Sequence, residues 1–248
     1  MWTRDALRSS SAPYAGDVWR MVETQYKAAT LRLTDSLAEQ AVLERIIDAT
    51  KPPLPPECDG LDFLLATPFR YAPHPFDSRF RRANRPDGVF YSSEAVEAAV
   101  AETAFLRLLF LAEAPDARFP SRPVEHTAFS VGCKTRKHID LTRPPLNRDR
   151  EVWTHPNRYA PCQDLADAAR EAGVEIIRYQ SVRDPEHRAN VALLSPRAFA
   201  DAAPKLRRTW HVFPRRHAVQ AWCESPRLEL EFPTAFFAVD SRLASLFA

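Results

Sequence analysis

The chain has 248 residues, with 34 Lys or Arg set against 32 Asp or Glu, for a net charge of +2 at neutral pH. That length can bury a full core without disulfide or metal staples. The near-balance of charge argues against the basic face of a nucleic-acid binder, and a 45% hydrophobic share argues against a disordered chain.

Proline is abundant at 22 residues and glycine scarce at 5. The turns are therefore stiff, and neither GxGxxG nor GxxxxGK[ST] is present, so the glycine-loop routes to phosphate are not signalled. No apolar run approaches the roughly 18 residues of a membrane-spanning helix. Met1 to Tyr14 is polar and mixed in charge, unlike a signal peptide, so a cytoplasmic location is expected. Cys58, Cys133, Cys162 and Cys223 then read as reduced core thiols, and without CxxC or HExxH no metal is expected. Of the dense basic runs, Arg79 to Arg82 and Arg207 to Arg216, the second reads as a solvated face, and no nucleic-acid or membrane partner is expected.

In chain order, residues 1–16 read as a loose arm. Val18 to Val22 alternates like a strand, and a helix is expected from Ala28 to Ala49, ended by Lys51-Pro52-Pro53. Residues 25–66 look like a helical insertion, with a short apolar segment at Leu61 to Ala66. Residues 70–88 form an arginine- and proline-rich loop before a strand at Val89 to Tyr91. Ser92 or Ser93 is placed to cap the next helix, Glu94 to Ala112. Phe129 to Val131 and Ile139 to Leu141 read as two weak strands. A helix over Cys162 to Ala172 ends at Gly173. Val174 to Tyr179, Val191 to Leu194, Thr209 to Phe213, Ala218 to Cys223 and Leu228 to Phe232 complete the strands. The irregular alternation predicts one mixed α+β domain over 1–248, with central sheets and flanking helices.

Glu102 is the most informative residue. At helical spacing it shares a face with Ala95, Ala98, Ala99, Phe105, Leu106 and Leu109. A carboxylate there needs a partner. It is either half of a Glu–Arg core pair or a site carboxylate. Arg20 lies between Trp19 and Met21 in a strand and points either to solvent or to an anion. Ser181 follows a strand end, where a turn cap and a site residue are both reasonable.

The order and spacing of these residues resemble the RES domain, a family named for its Arg, Glu and Ser. The resemblance is carried by Val18-Trp19-Arg20 and by Ser78-Arg79-Phe80 leading to Val89-Phe90-Tyr91-Ser92-Ser93-Glu94 and Val100-Ala101-Glu102. It continues through Cys162-Gln163 and Ile177-Arg178-Tyr179-Gln180-Ser181-Val182-Arg183 to Asn190-Val191-Ala192-Leu193. It implies an ADP-ribosyltransferase-like fold and an enzyme that uses NAD+ as substrate, without a metal. Family members are commonly toxins of toxin–antitoxin pairs, silenced by an Xre-like antitoxin. Some hydrolyse or phosphorolyse NAD+, and others ADP-ribosylate a protein target.

On this resemblance Glu102 would stabilise an oxocarbenium-like state. Arg20 and Arg79 would bind the pyrophosphate, Tyr91 would stack on the nicotinamide end, and Ser181 would hold that end by a hydrogen bond. Where short members show Gly-Arg-Trp-Asn, this chain has Ser78-Arg79-Phe80-Arg81, so Arg70 and Arg82 stand as alternatives to Arg79. Two other classes of function stand beside it: a catalytically silent binding module of the same fold, and a nucleic-acid-directed toxin, for which Phe80, Trp210 and Phe213 among the arginines give slight support.

Overall fold

The computed structural model describes residues 2–24, 33–70, 73–114 and 116–247, with Asp48 represented by its backbone alone. The first 16 residues are not a loose arm. Helix α1 (Arg4–Ser9) is capped by the Thr3 side chain and buries Leu7, and strand β1 (Ala12–Glu23) follows at once. Of the helix expected over 28–49, the stretch 28–32 lies outside the described residues, and helix α2 runs from Leu37 to Thr50 on the surface. The apolar segment near Leu61 is helix α3 (Phe63–Arg70), with Pro68 inside it.

Strand β2 (Phe90–Ser93) leads into helix α4 (Val96–Glu113). Alanines at 98, 99, 101 and 104 favour the helix and let it lie close to the sheet. Ser92 and Ser93 do not cap it. They belong to β2 and donate to Val191 O and Asn190 Oδ1, and the capping position is Ala95 with no side-chain bond.

The two weak strands expected near 130 and 140 are one long strand, β3 (Val124–Asp140). Its centre is buried on both faces, so the period-two signal of a half-exposed strand is absent. Helices α5 (Arg150–Trp153) and α6 (Ala160–Glu171) follow. Strands β4 (Ile176–Gln180), β5 (Ala189–Leu193), β6 (Leu206–Pro214), β7 (Ala218–Glu224) and β8 (Arg227–Pro233) complete the sheet. The chain then makes a short helix, α7 (Thr234–Phe237), and a 3-10 segment at Ser241–Leu246. No helix among the described residues is long and apolar enough to cross a membrane.

Strand β3 organises the sheet. It pairs antiparallel with β1 along most of its length, with β6 over Val124 to Ser130, and parallel with β4 at His138 to Asp140. Because β4 pairs with β5 and β5 with β2, the chain of pairings comes back to β1. One register pair, Trp19 with Ser93, closes this ring. Strands β6, β7 and β8 extend from β3 as an antiparallel flap.

Helix α4 packs on that flap. Its Val100, Ala104, Phe105 and Leu108 meet Trp210, Val212, Val219, Phe232, Phe237 and Leu243. Each large side chain buried this way contributes about 1.5–3 kcal/mol. Inside the ring, Leu65, Ala66 and Phe69 of α3 pack with Val18, Phe90, Phe129 and Val191. The four cysteines are free and buried.

Two expected outcomes follow from this packing. A Cβ on Gly88 would sit 2.5 Å from Pro68 O and 2.6 Å from Phe69 Cα, both backbone atoms. Gly88→Ala should therefore destabilise the protein by about 1–3 kcal/mol in urea unfolding. The second concerns the root of α4, where Arg107 donates to His126 Nε2 at 3.2 Å and also binds Glu23. Burial, assisted by the Arg107 charge, lowers the His126 pKa below its ordinary value. The unfolded chain thus binds more protons than the folded one just below about pH 6.5, and stability should be lost as the pH falls through that region. His126→Gln should flatten this fall when urea midpoints at pH 5 and pH 8 are compared.

Candidate active site

Glu102 lies where the buried stripe of α4 gives way to an open face. Ala98, Ala101 and Ala104 turn to the core, while Ala99, Glu102, Thr103, Leu106 and Leu109 line a cavity of about 360 Å³. Its Oε1 accepts a hydrogen bond from Ser181 Oγ at 2.7 Å and one from Asn190 Nδ2 at 2.6 Å. Among the described residues it makes no ion pair with an arginine, so the Glu–Arg core pair weighed from the sequence does not form. The carboxylate is instead held by two neutral donors.

Those donors are themselves fixed. Ser181 follows β4 and is fully buried beneath Glu102. Its oxygen accepts from the backbone N–H groups of Arg183 at 3.2 Å and Asp184 at 3.0 Å, so its single proton points at the carboxylate. Asn190, on β5, accepts from Ser93 Oγ at 2.7 Å, which orients its amide nitrogen towards Glu102. Tyr179 lines the cavity beside them. Burial, and next the Glu102 charge, raise its pKa well above the ordinary value, so its hydroxyl stays neutral.

Arg20 does not point to solvent. Its guanidinium stacks over Phe90 at 5.0 Å and donates to Tyr91 O at 2.7 Å. Its buried Nε has no partner. Burial lowers its pKa to about 10, so it remains charged at neutral pH.

Of the three loop arginines considered, Arg79 is the one that lines the cavity. Its Nη1 donates to Trp153 O at 2.7 Å and His155 O at 3.0 Å, and its plane faces Tyr159. Arg82 is bound by Asp164, Asp167 and Gln163 on α6. Arg70 is half-buried and donates to Pro52 O. The Tyr91 hydroxyl is also committed, to Ser78 Oγ at 2.8 Å and Phe80 N at 2.9 Å, which locks the turn carrying Arg79 against β2. What Tyr91 offers the cavity is therefore its ring.

Ser181 differs from its expected place. It is not on the cavity wall but behind it, in contact with Glu102. Sequence reasoning also missed Asn190 and Arg183, which stood in the motif stretches without an assigned role, and Tyr159, Asp240 and Arg242. Arg183, Arg242 and Tyr159 line the cavity, and Asp240 sits behind the two arginines.

Comparison with curated proteins gives no match. Among solved structures, a chain of the M. tuberculosis MbcT–MbcA toxin–antitoxin complex superposes with a TM-score of 0.48 at 11% identity, over 85% of this chain and 90% of that one. The RES domain family matches residues 54–213, a span that holds Arg79, Tyr91, Glu102, Ser181 and Asn190 but not Arg20 or Arg242. The chain belongs to the RES domain family.

Proposed function

We propose that this protein is an enzyme that cleaves the nicotinamide–ribose bond of NAD+, and that it serves as the toxin of a toxin–antitoxin pair held silent by an Xre-like antitoxin. One observation carries the enzymatic reading: a carboxylate, Glu102, held by Ser181 and Asn190 rather than by an ion pair, in a cavity that Arg20, Arg79, Arg183 and Arg242 line together with Asp77. The toxin role rests on what RES-family membership implies.

The chemistry suits this arrangement. As the C1′–N bond of NAD+ breaks, its electron pair leaves with neutral nicotinamide and positive charge gathers on the ribose. A fixed carboxylate stabilises that charge more than it stabilises the ground state, which is the condition for catalysis. Glu102 needs no reorganisation to do so, because Ser181 and Asn190 already hold it. The acceptor then adds to C1′ and releases its proton. Arg20 and Arg79 supply charge for the pyrophosphate, and the Tyr91 ring a flat surface for the nicotinamide or its ribose. Ser181 acts through Glu102 as a positioning residue, because its hydroxyl is buried and already bonded.

The test is NAD+ loss and nicotinamide release by the purified protein, alone, with phosphate, and with a cell lysate. Loss in buffer means hydrolysis, a phosphate-dependent increase means phosphorolysis, and lysate-dependent labelling of a protein band means ADP-ribosyl transfer. No turnover in any arm would leave a binding module and overturn the proposal.

Glu102→Gln should lower kcat by about a hundredfold or more while the protein stays folded. Arg20→Ala should act mainly on KM for NAD+, raising it about tenfold or more, because it removes a ground-state phosphate contact. Ser181→Ala should cost about 1–3 kcal/mol in denaturant unfolding, since two N–H groups and a carboxylate lose their partner. It should lower kcat with KM little changed. Unchanged kinetics in that variant would remove its positioning role.

A further inference from the structure

The C-terminal segment places charge in the cavity in a way the enzymatic reading does not use. Asp240 is fully buried and accepts from two arginines at once. Its Oδ2 takes Arg183 Nη2 at 2.6 Å and Arg242 Nη2 at 2.8 Å, and its Oδ1 takes Arg242 Nε at 3.0 Å. Burial works against its ionised form, but the bonds from Arg242 and the charge of Arg183 hold its pKa below the ordinary value. It is therefore a single negative charge between two positive ones, and one positive charge is left over.

One arginine is enough to neutralise one buried carboxylate, so the second guanidinium exceeds the charge it serves. The surplus faces the cavity. Arg242 lines it, with its plane 5.4 Å from the Tyr159 ring and its Nη2 donating to the Tyr159 hydroxyl at 2.9 Å. Arg79 stacks on that same ring at 4.9 Å and has no carboxylate among its hydrogen-bond partners. Arg183 also lines the cavity, is 2% exposed, and has an Nη1 with no partner. Three guanidinium groups thus gather around Tyr159 and Phe105, and a buried donor is left unsatisfied. A half-dehydrated wall of this kind favours an anion with several acceptor oxygens.

We propose that Arg242 is a substrate-binding residue that holds a phosphate group against this wall, with Asp240 and Tyr159 as its positioning residues. The segment after β8 then completes the substrate site from outside the stretch that matches the family. The proposal deepens the NAD+ reading and, for the identity of the ligand, rests on it. It assigns one of the dinucleotide's phosphates to Arg242 and Arg79, in the cavity that Arg20 also lines.

The test is calorimetric titration of the full chain with ADP-ribose, with adenosine as the phosphate-free control, and with inorganic pyrophosphate. Arg242→Gln should weaken ADP-ribose binding at least tenfold and leave adenosine unchanged. Arg242→Lys, which keeps the charge but loses the fork, should fall between the two and covers the case in which the glutamine variant fails to fold. Asp240→Asn should mimic Arg242→Gln in its KM for NAD+ with kcat little altered. Equal ADP-ribose affinity in wild type and folded Arg242 variants, with NAD+ still consumed, would overturn the proposal and spare the enzymatic reading. Pyrophosphate binding that is lost in Arg242→Gln, in a protein that consumes no NAD+, would uphold the phosphate wall and sink the enzymatic reading instead. Absence of all phosphate binding by the wild type would overturn it outright.

Discussion

Two hydrogen bonds onto one carboxylate oxygen set the geometry of the cavity. Glu102 rides on α4, Ser181 sits at the turn after β4, and Asn190 lies in β5. These bonds tie the helix to adjacent strand positions across more than seventy residues of sequence. A carboxylate in such a place could have been neutralised by any of the neighbouring arginines. Neutral donors instead occupy its Oε1, so the side chain is fixed without an ion pair. The arginines are held off by other tasks: Arg20 by Tyr91 O, Arg79 by two carbonyls, Arg183 by Asp240.

The fold explains why those tasks can be met. The ring of strands brings β1 and β2 together at one register pair, so their remaining backbone groups diverge there. Arg20 fills the gap by donating to Tyr91 O across it. The opening between the strands becomes the mouth of a cavity, and α4 lies along it as a rigid rail. The flap of β6, β7 and β8 then gives α4 an apolar bed, which lets a helix with a charged residue near its middle stay in register.

Much of this was legible in the sequence, for local reasons. A lone acid on an otherwise apolar helical face marked Glu102, and the clean alternation of Leu228 to Phe232 marked β8. Arg20 stood out because it interrupts an apolar strand. The long β3 was harder. Flanked by β1 and β6 and covered on both faces, its centre loses the alternation that announces a strand. The first 16 residues misled for another reason, since a short polar helix there runs into a strand whose order comes from pairing with distant partners. The Asp240–Arg242 pair gave no signal at all. Its meaning lies in Arg183 and Tyr159, far off in sequence, and a short polar turn near a C-terminus looks the same whether or not it reaches a cavity. Ser181 was found by resemblance, yet only its surroundings show that its hydroxyl is buried and bonded to the carboxylate.

The spread of the site along the chain carries a consequence for how the protein comes into being. β1 supplies Arg20 but finds its long partner only when β3 exists, more than a hundred residues later. The ring then waits for β4 and β5, and the last arginine to reach the cavity is Arg242. Domains assemble as units during synthesis, and this one has its earliest and latest residues meeting at the same cavity. A growing chain therefore carries no finished cavity until the segment that holds Arg242 has been made. The cavity is complete only once that segment lies against α4.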